Sequence, residues 1–221
     1  MSHELEVDTV VFDLGRVIIG WDPYLAVEGR VDEEAWDDFL ESGRFETLNH
    51  KSDEGASPEE LVAEAARTSP HEAAMLEAYY EGFAKSLTGP VPGMPELVRE
   101  LKDLGYRVLG LSNWSRHMFP HAPANVPVIS ELEGVVVSGE VGVAKPDRRI
   151  YEHLLSRFGL DPVRTVFVDD MPRNVEAARD AGIRGVVFTG ADALRTELLA
   201  LGLSVPPALP PEESHLPPEE G

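Results

Sequence analysis

The sequence has no cysteine, which excludes disulfides, thiolate nucleophiles and sulfur-rich metal sites. It is also poor in positive charge: 19 lysines and arginines stand against 40 acidic residues, a net charge of −21. Such a surface repels the nucleic-acid backbone and anionic membranes, so neither is expected as a partner. No apolar run reaches the ~20 residues of a membrane-spanning helix. The opening MSHELEVDTVV lacks a basic segment leading into an apolar one. The expectation is a cytoplasmic protein with a solvated, self-repelling surface. An anionic substrate would need a local source of positive charge. What remains is an ordinary globular composition, 43% hydrophobic over 221 residues. That length suits one domain, or a core carrying a smaller inserted one.

Short apolar runs of strand type occur at 10–12 (VVF), 107–111 (RVLGL), 134–137 (GVVV), 165–168 (TVFV) and 185–188 (GVVF). They are continuous rather than alternating, as in a parallel sheet covered on both faces. Helical patterns lie between most of them. In PGMPELVRELKDLGY, Pro95 opens a helix, Leu97, Leu101 and Leu104 line one face, and Gly105 closes it. In KPDRRIYEHLLSRFG, Ile150, Leu154, Leu155 and Phe158 form a stripe ending at Gly159. A short alanine-rich helix in MPRNVEAARDAG ends at Gly182. Strands alternating with helices predict an α/β fold with a doubly wound parallel sheet.

Residues 20–89 interrupt that alternation and carry no strand signal. Ser57-Pro58-Glu59-Glu60 reads as a capping box with proline in the first turn. Trp36, Phe39 and Leu40 form one helical stripe, and Met75, Tyr79, Phe83 and Leu87 another; core packing accounts for both. The segment reads as a small helical insert that leaves the sheet after Asp13 and returns near Gly89-Pro90-Val91-Pro92. The division is therefore 1–19 with 90–203 as the core, 20–89 as the insert, and 204–221 as a proline- and glutamate-rich disordered tail with little to bury.

In open α/β sheets, ligands bind outside the carboxyl ends of the strands. Four polar groups fall there: Asp13 after the first strand, Ser112-Asn113 in GLSNW, Lys145 in VAKPDRRIY, and Asp169-Asp170 in VFVDDMPRN. Singly, each has a plain reading. Asp13 could start a turn with Gly15, Ser112 could cap a helix, Lys145 could lie in solvent, and the acidic pair could cap the next helix. As an ordered set they carry chemistry.

That set, over residues 7–190, resembles the haloacid dehalogenase superfamily of hydrolases. Asp13 matches the family's nucleophilic aspartate, Ser112 its strand-ending Ser or Thr, Lys145-Pro146 its Lys-Pro, and Asp169-Asp170 its acidic pair. The helical insert looks like the family's small cap. The resemblance implies a Rossmann-like core and a magnesium-dependent phosphatase that forms an aspartyl phosphate on Asp13. Magnesium would take oxygens from Asp13, the Gly15 backbone carbonyl and the acidic pair, with Asp170 as direct ligand and Asp169 behind it. Lys145, Ser112 and Asn113 would bind the phosphate of a small phosphorylated metabolite.

One departure stands out. Many phosphatases of the family carry an aspartate two places after the nucleophile, where it protonates the leaving oxygen; here that place is Gly15. General acid catalysis is typically worth roughly 10²–10⁴-fold. The pattern Asp-Leu-Gly-x-Val resembles a subgroup that includes a bacterial glucose-1-phosphate phosphatase. An anomeric oxygen is a good leaving group, which implies a sugar phosphate as substrate. A proton from His50, Arg44 or Asp22 is the alternative, although each reads more simply as an exposed polar residue. Two other readings stand beside the phosphatase. A 2-haloacid dehalogenase would need no proton donor, but lacks the acidic pair. A binding module would have kept the fold and lost turnover.

Overall fold

The computed structural model describes residues 6–207. In chain order the strands and α-helices begin with β1 (Thr9–Phe12), β2 (Ile19–Trp21), α1 (Glu33–Glu41), α2 (Arg44–Asp53), α3 (Pro58–Ala66) and α4 (Pro70–Gly82). Next come β3 (Leu87–Pro90), α5 (Met94–Asp103), β4 (Arg107–Ser112), α6 (His121–Asn125), β5 (Val135–Val137) and α7 (Ser138–Val141). The chain continues with α8 (Arg148–Phe158), β6 (Thr165–Asp169), α9 (Pro172–Asp180), β7 (Arg184–Val187) and α10 (Ala191–Ala200). Among the described residues, no helix is long and apolar enough to cross a membrane.

The expected parallel sheet is present, with strand order β5-β4-β1-β6-β7. Both faces are covered, which is why its strands are apolar throughout. Val10 and Phe12 pack into the cluster shared with the insert, whereas Val11 joins Leu109, Tyr151 and Phe167 on the opposite face. Register decides where the polar groups emerge. Phe12 lies opposite Gly110 of β4 and Val168 of β6. The residues one and two steps further on are Asp13, Ser112 and Asp169, so all three reach the same carboxyl edge.

The inserted segment holds helices α1 to α4 around an aromatic cluster. Trp36, Phe39, Phe45 and Tyr79 meet with centroids 5.0–6.1 Å apart. Trp36 is fully buried, so its replacement by alanine would cost about 3–5 kcal/mol. The capping box at Ser57 and Glu60 is formed on both sides.

Four details differ from expectation. The segment is not free of strands: β2 and β3 pair antiparallel at its root, bringing the outgoing and returning chains together. Each is only 3–4 residues long and contains glycine, so neither has a readable pattern. The Met75–Leu87 stripe is buried but not one helix, because α4 stops at Gly82 and Leu87 belongs to β3. A Cβ at Gly82 would meet the Ala26 carbonyl oxygen at 1.9 Å, so the chain passes too close there for any other residue. Leu104 follows the end of α5 and is 46% exposed rather than buried. Finally, Val205 is buried and the Pro206 carbonyl accepts from Arg195, so packing continues beyond residue 203. The remainder of the expected tail, 208–221, lies outside the described residues.

Candidate active site

Asp13 lies just past β1 and is largely buried. Its Oδ1 accepts from the Leu14 amide at 2.7 Å and the Ser112 hydroxyl at 3.0 Å, and lies 2.9 Å from Lys145 Nζ. All three donors converge on one oxygen, while Oδ2 takes no part in these contacts. The Lys145 ammonium also donates to the Leu111 carbonyl at 2.9 Å and Asp169 Oδ2 at 2.6 Å. An ammonium has three N–H bonds, and these oxygens use them all. What Lys145 offers the cavity is its charge.

Asn113 is engaged with the Lys145 backbone. Its Oδ1 accepts from the Lys145 amide at 2.7 Å and its Nδ2 donates to the Lys145 carbonyl at 2.9 Å. The carboxamide therefore clamps the backbone that carries the lysine. Ser112 is buried with its hydroxyl on Asp13, so it too positions the nucleophile candidate.

Asp169 is fully buried. Besides Lys145, it accepts from the Met171 amide at 2.8 Å and from Asn174 Nδ2 at 3.0 Å. Asp170 is half-buried and lines the cavity. Asp13, Asp169 and Asp170 each present a carboxylate oxygen, all within 4.8 Å of one another. Three anions around one lysine leave negative charge in excess. Burial pushes the Asp13 carboxyl up to about 6, with Lys145 opposing the rise and Asp169 adding to it. Burial, and then Asp169, raises Asp170 above its ordinary value. Burial works against the Lys145 ammonium, but Asp13 and Asp169 more than offset it and hold its pKa above the usual value. A set of hard oxygens with surplus negative charge suits magnesium in donor type and charge.

Gly15 sits beside this cluster without a positive φ, and a Cβ there would meet nothing within 4 Å. The strained position is the next one. Arg16 has φ 61°, unusual for a residue with a side chain. Its guanidinium lies 5.2 Å from the Trp21 ring centre, at the cavity wall. Sequence reasoning missed Arg16, since a lone arginine in a turn carries no pattern.

The cavity occupies about 970 Å³ between the carboxyl edge and the insert. Trp21, Phe45, Tyr79, Tyr80, Phe83 and Trp114 form much of its wall. Ser52 Oγ, Tyr80 OH and Trp114 Nε1 are buried without a hydrogen-bond partner. Buried polar atoms are ordinarily satisfied, so these atoms can form hydrogen bonds with a polar group entering the cavity; the Ser52 and Tyr80 hydroxyls also lie close to one another.

Of the three cap donors considered, His50 lines the cavity, and Asp22 and Arg44 do not. Asp22 accepts from the Tyr24 amide, Arg44 is held by Glu72, and His50 lies in solvent 3.7 Å from Glu54. Three acids of the insert line the cavity, Glu46, Asp53 and Glu54; the first and last are exposed, and Asp53, the last residue of α2, is not. Burial pushes its carboxyl up to about 7, against Lys145 and together with Asp13 and Glu54. Sequence reasoning passed over it because an acid in SDEG looks like a solvated turn.

Fold and site together define an α/β core with a carboxylate cluster at the carboxyl edge of its parallel sheet. A family model of haloacid dehalogenase-like hydrolases matches residues 7–182, and the chain belongs to that family. It is 27% identical over 198 residues to the sesquiterpene phosphatase astK of Aspergillus oryzae, covering 86% of this chain and 94% of that one. It is 29% identical over 120 residues to flavin mononucleotide hydrolase 1 of Arabidopsis thaliana, covering 51% of this chain; it spans less than half of that relative, 46%. A crystal structure of a HAD family enzyme from Bacteroides thetaiotaomicron superposes with TM-score 0.71 at 19% identity, covering 88% of this chain and 99% of that one. The same enzyme was solved with magnesium and inorganic phosphate, with TM-score 0.67, 20% identity and coverage of 83% and 95%. At that identity the likeness is one of fold.

Proposed function

We propose that the protein is a magnesium-dependent phosphatase of a small phosphorylated metabolite, working in the cytoplasm, with Asp13 as nucleophile. The observation that carries this is the interlocked cluster at the carboxyl edge. Asp13 is fixed through Oδ1 alone, which leaves Oδ2 to attack phosphorus. Ser112, Leu14 and Lys145 hold that carboxylate in place, so little motion is needed to reach an attacking geometry. Lys145 holds positive charge beside it, and Asn113 holds Lys145.

The metal would be held by Asp13, Asp170 and the Gly15 carbonyl. Asp169, whose oxygens already accept from Lys145, Met171 and Asn174, would stand behind them. When bound, magnesium supplies the positive charge that lets an anionic ester approach an anionic nucleophile. Attack by Asp13 Oδ2 forms the aspartyl phosphate and expels the alcohol. Water then attacks phosphorus, and the Asp13 carboxylate leaves.

For the substrate, a sugar phosphate fits the wall chemistry: aromatic faces for the C–H faces of a ring, and unpartnered Ser52, Tyr80 and Trp114 atoms for hydroxyls. The names of two relatives, a sesquiterpene phosphatase and a flavin mononucleotide hydrolase, support a phosphate ester and set terpenoid and flavin phosphates as the competing classes. The test is phosphate release over a panel of phosphometabolites with magnesium present. Turnover of sugar phosphates above the others supports the reading. Halide release from 2-haloacids without phosphatase activity would replace it with dehalogenation, and no turnover of either kind would leave a binding module.

A further inference from the structure

We propose that Asp53, carried by the cap, gives a proton to the departing oxygen and takes one from the attacking water. The proposal rests on the phosphatase reading above and supplies the role left open at Gly15.

Three features place Asp53 at the reaction. It lines the same cavity as Asp13, Lys145 and Asp170 but comes from the opposite wall. Beside Gly15 the space a side chain would fill is open, so the core offers no acid there. Of the charges acting on Asp53, Lys145 and Asp13 across the cleft outrank its own neighbour Glu54. Asp53 therefore lies within electrostatic reach of the reacting pair, on the cavity wall.

Its placement is poor for stability alone. A carboxylate at the last residue of a helix sits at the negative end of the dipole. Among the described residues of the cap, no cation pairs with Asp53; its hydrogen bond within the insert is a long one, 3.4 Å from Asn49 Nδ2. Tyr79 and Tyr80 of α4 face it, and both phenols are raised, Tyr80 to about 12. A phenol so weakly acidic cannot exchange protons in both directions near neutral pH, whereas a carboxyl near 7 can. The other titratable cap groups on the wall are Glu46, His50 and Glu54, which are exposed, and Lys51, whose ammonium is paired with Glu64 at 2.6 Å.

Bonds and protons balance over the cycle. Asp13 Oδ2 bonds to phosphorus as the bond from phosphorus to the ester oxygen breaks. That oxygen keeps the electron pair, receives the Asp53 proton and leaves as an alcohol. The Asp53 carboxylate then removes a proton from water as its oxygen bonds to phosphorus. The bond from phosphorus to Asp13 breaks, phosphate departs, and Asp53 is again protonated.

The experiment measures kcat/KM with magnesium for aryl and primary alkyl phosphates across pH, in the native enzyme and in Asp53→Asn. Aryl oxygens leave without help; alkyl oxygens do not. The expected result is a loss of roughly 10²–10⁴-fold on alkyl phosphates, a much smaller loss on aryl phosphates, and disappearance of the alkaline limb that begins near neutral pH. Asp53→Glu should recover part of the alkyl activity and keep a limb; it also carries the test if the asparagine variant does not fold. Equal loss on both substrate types, or an unchanged pH profile, overturns the role of Asp53 while leaving the phosphatase reading standing. A native enzyme that releases no phosphate from any ester overturns both.

Discussion

The two walls of the cavity are built differently. On the sheet side, Asp13, Ser112, Asn113, Lys145 and Asp169 are bonded to one another or to backbone. Among the described residues lining the cavity, buried polar atoms without a partner remain at the cap, Ser52 Oγ and Tyr80 OH, and at two core positions, Trp114 Nε1 and Asn174 Oδ1. A closed network fixes geometry before the substrate arrives, which is what attack on phosphorus requires. Unsatisfied atoms gain their hydrogen bonds only when the right molecule enters, which is what selection requires. The contrast assigns chemistry to the bonded network and choice to the unsatisfied atoms, with Asp53 as the one cap group that serves the chemistry.

The comparison breaks most visibly if damage to the sheet side depends on the substrate. Asp170→Ala should raise the magnesium needed for half-maximal rate more than Asp169→Asn, whose effect should be roughly the 10–100-fold of a residue behind the ligands. Both should act alike on every substrate. Melting temperature should follow the reverse order, because Asp169→Asn deprives the buried Lys145 of a charge partner. If Asp169→Asn has the larger magnesium effect, the two carboxylates exchange roles.

A second change sharpens the link between the walls. Gly15 has no positive φ and open space around it, so Gly15→Asp should fold. In the Asp53→Asn background it should restore alkyl phosphate hydrolysis by roughly tenfold or more, within the range of general acid catalysis, while adding little to the native enzyme. Absence of rescue in a folded double variant would show that the space beside Gly15 does not reach the leaving oxygen.

The smallest effect belongs to the cap wall. Tyr80→Phe removes one unpartnered hydroxyl. A hydrogen bond gained on binding contributes about 0.5–1.5 kcal/mol, so KM should rise roughly two- to tenfold for a hydroxyl-bearing substrate and stay level for a plain aryl phosphate. Equal changes in both would remove Tyr80 from substrate choice.

These two walls were not equally legible in the sequence. The sheet side was readable because buried parallel strands are continuous apolar runs, and an acid or a serine closing such a run is costly to bury unless a partner or a ligand meets it. The positions of Asp13, Ser112 and Asp169 at one edge follow from strand register, whereas Lys145 lies in the loop between α7 and α8 and was placed by the family resemblance alone. The bonding inside the network follows from neither: nothing in GLSNW indicates that the Asn113 carboxamide closes on the Lys145 backbone. The cap was legible only as helical. Its root strands are too short to show a period, and Gly82 broke a stripe that spacing alone would carry to Leu87. Asp53 was hidden because its meaning comes from docking, not from its neighbours in the chain. An acid between Ser52 and Glu54 is a surface residue until α2 is laid against the sheet edge.

The central claim is that the sheet wall makes Asp13 the nucleophile. Its most direct test is to quench the enzyme in acid during turnover of an aryl phosphate with magnesium and map the phosphorylated peptide by mass spectrometry. The account predicts phosphate on Asp13, at higher occupancy in Asp53→Asn, where activation of the water is slowed, and none in Asp13→Asn. Phosphate on another residue, or full turnover by Asp13→Asn, would contradict it.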